Sequence, residues 1–229
     1  MIFGGLEKFT LIDYPGKIAC VAYTIGCNFR CPYCHNPSLV DETTEVRISE
    51  DEVLALLERK KGLVDGVVIT GGEPTIHGKD LLRFMGRVKR RGFLVKLDSN
   101  GTHPEVLRAA ISKKLVDYIA MDIKAPLADY PRIAARPVDT KAVRRSIVLL
   151  LYGNIPYEFR TTVVKSLLSP KDLEEIGKEI RGARRYYLQK FAPANALSPQ
   201  FRKKVTYSNE EFAALQEMLH SYVQSCDVR

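Results

Sequence analysis

Apolar, β-branched runs alternate with helical stretches along most of the chain, and this alternation limits the possible folds more than any other feature. Strands are predicted for six segments: Ile18–Thr24, Gly66–Thr70, Leu94–Asp98, Tyr118–Asp122, Glu158–Val164 and Tyr186–Phe191. Such alternation is typical of a parallel sheet covered by helices. Six strand–helix units are too few for the eight of a closed barrel. We therefore predict an α/β fold, a partial, TIM-like (β/α)6 barrel.

Helix starts are marked by capping residues. Capping boxes are predicted at Ser49–Glu52 and Ser208–Glu211, and Pro104 and Pro170 each stand at the first position of a helix. The last helix carries a stripe that we assign to the core: Phe212, Leu215, Leu219 and Tyr222. A single domain is expected over residues 1–229, with a lead-in over 1–17 and a C-terminal loop and helix over 192–229. Functional groups are expected at the C-terminal ends of the strands.

The composition narrows the class of protein. With 45% hydrophobic residues the chain can bury a real core, and no apolar run approaches the roughly 20 residues of a membrane span. We therefore expect a cytoplasmic protein with no membrane partner. The net charge of +8 permits RNA binding but does not favour it, because the basic clusters lack interleaved aromatic residues.

Three of the five cysteines lie within one loop after the first predicted strand. Cys27, Cys31 and Cys34 stand at spacings of four and three residues, where their thiolates can converge on one metal centre. One alternative is a [4Fe–4S] cluster that leaves one iron without a protein ligand. The other is structural zinc with His35 as the fourth ligand, although His35 directly adjoins Cys34.

A second motif connects the loop to a family. Gly71-Gly72-Glu73-Pro74 follows the second predicted strand. Together with the cysteine triplet it resembles the signature of the radical S-adenosylmethionine (SAM) superfamily. The resemblance implies one [4Fe–4S] cluster held by the three cysteines and SAM bound to its open iron. Glu73 would receive the amino group of SAM, and the glycines would let a ligand approach the backbone closely.

Finer motifs resemble those of glycyl-radical-enzyme activases, and among these the activating proteins of anaerobic ribonucleoside-triphosphate reductase. These motifs are Asp13-Tyr14-Pro15-Gly16 and Cys34-His35-Asn36-Pro37. The resemblance implies a glycyl radical enzyme as partner and a flavodoxin or ferredoxin as electron donor. It also implies that Asp13 contacts the partner's glycine segment. No side chain is expected to act as a general acid or base.

The same resemblance extends to the ends of the third and fourth strands. Asp98-Ser99-Asn100-Gly101 and Asp122-Ile123-Lys124 match the family pattern, with serine in place of threonine at Ser99. Asp98, Ser99 and Asp122 are thereby implied to hold a monovalent cation, and Lys124 to meet the SAM carboxylate. The cofactor-binding residues implied in full are Tyr33, Asn36, Gly71, Gly72, Glu73, Pro74, Ser99, Asn100, Asp122 and Lys124.

Some candidates stay open. Arg160 and Gln189 are weaker candidates for SAM contacts, and a structural role is favoured for both. Two other classes of function compete with the activase: a radical SAM enzyme that modifies RNA or a small metabolite, and a zinc-binding module without enzymatic activity.

Overall fold

The structure is a computed structural model that describes residues 1–229. Its strands are β1 (Ile2–Thr10), β2 (Ala19–Thr24), β3 (Ile48–Ser49), β4 (Gly66–Gly71), β5 (Leu94–Ser99), β6 (Tyr118–Asp122), β7 (Tyr157–Val163), β8 (Tyr186–Lys190) and β9 (Cys226–Val228). Its α-helices are α1 (Pro37–Val40), α2 (Glu50–Arg59), α3 (Gly78–Lys89), α4 (Pro104–Ser112), α5 (Tyr130–Ala134), α6 (Thr140–Leu151), α7 (Pro170–Glu179) and α8 (Asn209–Leu219). Short 3₁₀ helices cover Pro74–His77, Leu127–Asp129 and Pro199–Lys203. None of the helices is long and apolar enough to cross a membrane.

All six predicted strands are present as β2 and β4 to β8, and each is followed by at least one helix. This is the predicted α/β architecture, and it is consistent with a partial (β/α)6 barrel. The predicted caps are confirmed as well. The Ser49 hydroxyl accepts from the Glu52 amide, and the Glu52 carboxylate accepts from the Ser49 amide at 2.8 Å. Ser208 and Glu211 form the same reciprocal cap at the start of α8.

The chain divides into two compact units. The first comprises Met1–Asn28, Ser38–Ser99 and His103–Ile119; the second comprises Phe29–Pro37, Asn100–Thr102 and Ala120–Arg229. Strand β6 begins in the first unit and ends in the second. The single domain over residues 1–229 stays a prediction.

The first unit contains the strand order β3-β1-β2-β4-β5. β2, β4 and β5 are parallel, with Val21 paired to Val68 and Val68 paired to Lys96. Val21 and Val68 belong to a buried apolar cluster with Tyr14 and Tyr118. The β-branched residues of these strands thus build the core beneath the strand ends.

Strand β1 lies in the segment that the sequence analysis assigned to a lead-in. It pairs antiparallel with both β2 and β3. A Cβ on Gly4 would lie 2.9 Å from Ile25 Cγ1, and one on Gly5 would lie 3.2 Å from the Tyr23 ring. Close approach of neighbouring side chains, rather than apolar alternation, therefore shapes this strand, and hydrophobic patterning misses it.

The second unit contains the order β7-β8-β9, in which all three strands are parallel. Cys226, which lies outside the cysteine loop, is a buried residue of β9, a strand too short to predict. The core stripe of α8 ends at Leu219. Tyr222 lies beyond the helix, where its hydroxyl donates to Glu174 Oε1 at 2.7 Å.

Candidate active site

The cysteine loop begins at a tight turn in the first unit. Gly26 has a φ of 88°, and its amide donates to the Leu39 carbonyl at 2.8 Å. Its own carbonyl accepts from the Glu73 amide at 2.8 Å. Cys27 follows and is half-buried. The start of the cysteine loop is therefore fixed to the Gly71–Glu73 turn by main-chain contacts.

The rest of the loop lies in the second unit. The Arg30 amide donates to the Ala134 carbonyl at 2.8 Å, and the Cys34 amide donates to the Cys31 carbonyl at 3.0 Å. Cys31 is buried and Cys34 half-buried, and no cysteine of the chain forms a disulfide. Burial raises the pKa of the Cys31 thiol to about 11, while the nearby Lys124 ammonium opposes this shift.

The C-terminal loop after β8 holds this part of the cysteine loop in place. The Leu197 amide donates to the Cys34 carbonyl and the Ser198 amide to the Pro32 carbonyl, both at 2.9 Å. The His35 ring stacks on Phe191, with centroids 5.6 Å apart, and its Nε2 lies 2.6 Å from the Ala192 carbonyl oxygen. His35 thus supports the loop, and this contact weighs against a zinc-ligand role for its Nε2.

Tyr33 lies between the last two cysteines. Its ring is buried and meets Phe191 edge-on, with centroids 6.5 Å apart. Its hydroxyl is buried without a hydrogen-bond partner in the chain. A buried, unpaired hydroxyl costs about 1–3 kcal/mol, so a polar or charged group bound beside it would relieve a real penalty.

The Gly71–Glu73 turn closes against the start of the cysteine loop. The Gly72 amide donates to the Thr24 carbonyl at 2.9 Å. A Cβ on Gly72 would lie 2.6 Å from the Gly26 carbonyl carbon and closer still to its oxygen. The glycine is thus required by the approach of two chain segments, whatever ligand binds nearby.

Glu73 is the centre of a buried polar network in the first unit. Its side chain is buried, and its Oε1 accepts from the Thr75 amide at 3.0 Å, from the Thr75 hydroxyl, and from the Ser99 hydroxyl at 2.9 Å. Thr75 Oγ1 in turn lies 3.1 Å from His103 Nδ1. The structure therefore joins Glu73 and Ser99 directly. Sequence reasoning assigned no function to Thr75 or to His103.

Asp98 and Asn100, two further predicted site residues, lie at the end of β5 and just beyond it. Asp98 Oδ1 accepts from Lys96 Nζ at 2.5 Å, and Lys96 is almost fully buried. In the second unit, Asn100 Oδ1 accepts from the Thr102 amide at 3.1 Å and its hydroxyl at 2.7 Å. Asn100 thus stabilises the turn after β5, and Lys96 is a charged partner that the sequence analysis did not single out.

The end of β6 carries a charged triad in the second unit. Asp122 Oδ1 accepts from Arg160 Nε at 2.9 Å, and Oδ2 accepts from Lys124 Nζ at 3.0 Å. Burial acts to raise the pKa of Asp122, but the Arg160 and Lys124 charges prevail and lower it to about 2. Asp122 is therefore paired with both Lys124 and Arg160. The structural role favoured for Arg160 over a SAM contact stays a prediction. Gln189 lies half-buried on β8.

Asp13 lies in the turn between β1 and β2. Its Oδ2 accepts from the Thr10 hydroxyl at 2.5 Å, and Thr10 Oγ1 accepts weakly from the Asp13 amide at 3.3 Å. Thr10 and Tyr14 on either side are buried, whereas Leu11 and Ile12 are 65% and 82% exposed. The turn is thus anchored at both ends and presents an acid beside apolar side chains.

Comparison with known proteins identifies the family. The chain matches the radical SAM superfamily model over residues 21–180. It is 31% identical to the "Putative glycyl-radical enzyme activating enzyme" of Methanocaldococcus jannaschii, over 100% of this chain and 95% of that protein. It is 31% identical to the pyruvate formate-lyase-activating enzyme of Clostridium pasteurianum, over 52% of this chain and 50% of that one.

A solved structure shows the same fold. The radical SAM methyltransferase of Sphaerobacter thermophilus superposes with a TM-score of 0.70 at 18% identity, over 96% of this chain and 68% of that one.

Radical SAM proteins use a [4Fe–4S] cluster and SAM. Three free cysteines in one loop are a soft donor set suited to that cluster, and the unpaired Tyr33 hydroxyl lies among them in sequence. The chain belongs to the radical SAM superfamily and, within it, to the family of the glycyl-radical-enzyme activating enzymes.

Proposed function

We propose that this protein is an oxidoreductase that generates a glycyl radical on a partner enzyme, anaerobic ribonucleoside-triphosphate reductase, in the cytoplasm. The observation that carries the proposal is the Asp13 turn. Exposed apolar side chains beside a fixed carboxylate are typical of a protein-binding surface. Phe9, Leu11 and Ile12 are each at least half exposed, and Asp13 is held among them by Thr10. The similarity to a protein named as an activating enzyme supports the same function.

The bound cluster and SAM would supply reductive cleavage of SAM to a radical that abstracts hydrogen from the partner's glycine, with flavodoxin or ferredoxin as electron donor. Cys27, Cys31 and Cys34 would hold the cluster. The chain's remaining task is to bind, orient and exclude water. The Tyr33 ring, between the last two cysteines in sequence, packs edge-on against Phe191 and shields this part of the loop from water. Glu73 would bind the SAM amino group, and Lys124 its carboxylate.

Modification of RNA is the less favoured alternative. Two residues of the basic cluster at Lys89–Arg91 already face carboxylates. Lys89 Nζ donates to Asp117 at 2.6 Å and 2.7 Å, and Arg91 Nε lies 3.5 Å from Glu58. These pairs reduce the positive charge that this cluster offers to a phosphate backbone.

The proposal is tested by electron paramagnetic resonance under anaerobic conditions. Reconstituted protein is reduced with SAM and the host's anaerobic ribonucleotide reductase. We expect a glycyl-radical doublet that requires SAM and disappears when the reductase's radical glycine is replaced by alanine. Formation of 5′-deoxyadenosine without a doublet would reject this partner, and absence of both products would reject the radical mechanism.

Replacing Glu73 by glutamine is expected to weaken SAM binding while the cluster is retained. The substitution keeps the side-chain volume but removes the negative charge, and a hydrogen bond to a charged group contributes about 1.5–3 kcal/mol. We therefore expect the dissociation constant for SAM to rise at least about tenfold. Isothermal titration of reconstituted protein measures this change, with iron content as the control. Unchanged affinity would mean that Glu73 serves only the Thr75–Ser99 network.

Replacing Asp13 by asparagine is expected to separate the two activities of the protein. Glycyl-radical yield on the partner should fall about tenfold, because a charge-assisted contact is lost. SAM cleavage in the absence of partner should change far less. The doublet intensity and the amount of 5′-deoxyadenosine measure the two effects.

Thr10→Val provides the matched control. It removes the hydroxyl that holds Asp13 at 2.5 Å but leaves the carboxylate in place. If Asp13 serves only the turn, Thr10→Val and Asp13→Asn will reduce both activities alike. A loss of radical yield in Asp13→Asn that clearly exceeds the loss in Thr10→Val supports partner contact.

A further inference from the structure

A lysine is buried in the middle of β5. Lys96 is 1% exposed and pairs in the parallel register with Val68, which pairs with Val21 in the buried cluster. Its Nζ donates to Asp98 Oδ1 at 2.5 Å, and the two residues lie on one face of the strand because they are two positions apart. A lysine is rarely buried without a partner, so the ion pair accounts for its position.

The same carboxylate is one of the three residues that the family resemblance assigns to a monovalent cation. The side chain of Asp98 is 13% exposed, so little water screens its contact with the Lys96 ammonium. Ser99 carries no charge, and its hydroxyl donates to Glu73 at 2.9 Å. In the first unit, therefore, the charge of Asp98 is already balanced by a side chain of the same strand.

The charge of Asp122, the third of these residues, is balanced independently of Asp98. In the second unit both carboxylate oxygens of Asp122 accept from cationic side chains, Arg160 at 2.9 Å and Lys124 at 3.0 Å. A cation from solution needs oxygen ligands with negative charge to replace its water shell. Neither Asp98 nor Asp122 offers a charge that is not already paired within the chain.

We propose that the Lys96 ammonium takes the place of a monovalent cation at Asp98, so that this protein binds SAM without potassium or sodium. An ammonium group has the charge of such an ion, and covalent attachment supplies it at a high effective concentration whatever the salt. Lys96 is on this account a positioning residue that pairs with the Asp98 carboxylate and orients it at the strand end. The inference concerns the SAM site of the proposed function and rests on it.

The first test uses the wild-type protein with its cluster reconstituted. SAM dissociation constants and thermal unfolding midpoints are measured in KCl, NaCl and tetramethylammonium chloride at equal ionic strength. We expect the same values in all three salts. Tighter SAM binding or a higher midpoint in potassium or sodium alone would overturn the proposal.

The second test exposes Asp98. Lys96→Met replaces the lysine with an unbranched apolar side chain and so removes the ammonium that donates to Asp98 Oδ1. In tetramethylammonium chloride we expect a lower unfolding midpoint and SAM binding weakened about tenfold or more. Potassium or ammonium ions should restore a large part of both. If neither ion restores the unfolding midpoint and SAM binding, Lys96 has a packing role and the proposal is overturned.

The double variant Lys96→Met/Asp98→Asn is the matched control. It lacks both charges, and its unfolding midpoint should not respond to potassium. A response as large as that of the single variant would place the ion elsewhere and overturn the inference. If Lys96→Met does not fold, the wild-type comparison still decides the question. None of these readouts uses the partner enzyme, so a missing glycyl radical would reject the proposed function alone.

Discussion

Replacing Cys31 by alanine is expected to leave the purified protein without an iron–sulfur cluster. Three thiolates of one loop are the predicted ligands, and a cubane that already has one iron without a protein ligand tolerates no further loss. The same result is expected for Cys27→Ala and Cys34→Ala. Iron and sulfide content and the visible absorption after anaerobic reconstitution measure it. SAM cleavage should be abolished in all three variants.

The chain provides its own controls in Cys20 and Cys226. Both are fully or almost fully buried on strands, and Cys20 Sγ lies 3.4 Å from the Lys8 carbonyl oxygen. Cys20→Ala and Cys226→Ala remove a thiol without touching the loop, so they should keep normal iron content at somewhat reduced stability. Normal iron in any loop variant, or its loss in both strand variants, would contradict the ligand assignment.

The parallel strands could be predicted because burial on both faces leaves short, continuous apolar runs in the sequence. Gly66–Gly71 and Tyr118–Asp122 are of this kind, and their ends agree with the prediction to within one residue. Strand β1 could not be predicted in this way. Its glycines pack against Ile25 and Tyr23, which are distant in sequence. Likewise β9 consists of only three residues and depends on pairing with β8.

The candidate site likewise has residues that local sequence patterns identify and residues that only tertiary contacts bring into place. Motif spacing identifies Glu73, the three cysteines and Asp122, because their residue types recur at strand ends. The partners of these residues are set by tertiary contacts that no local pattern records. Lys96 illustrates this: in sequence it is one more charged residue, and only the fold buries it beside Asp98. The charge balance of the site is therefore a property of the structure.

Replacing Gly72 by alanine is expected to damage both the fold and the cluster, although Gly72 is not a metal ligand. The added methyl group would overlap the main chain at Gly26, which cannot move without breaking the hydrogen bond from the Glu73 amide to the Gly26 carbonyl at 2.8 Å. Overpacking alone costs about 1–3 kcal/mol, and loss of that hydrogen bond adds about 1 kcal/mol. Cys27 adjoins Gly26, so cluster assembly should suffer as well.

Gly86→Ala adds the same methyl group in the interior of α3, where the nearest atoms lie 3.5 Å and 3.7 Å away. There the substitution should raise the free energy of unfolding by about 0.5–1 kcal/mol, because alanine favours a helix more than glycine does. Urea unfolding of the two variants and their iron content after reconstitution make the comparison. Equal free energies of unfolding for Gly72→Ala and Gly86→Ala would show that Gly26 and Gly72 do not approach each other tightly. Ligand binding would then be the reason for a glycine at position 72. If the free energy of unfolding falls in Gly72→Ala and rises in Gly86→Ala, and iron is lost only from Gly72→Ala, the turn after β4 positions the start of the cysteine loop.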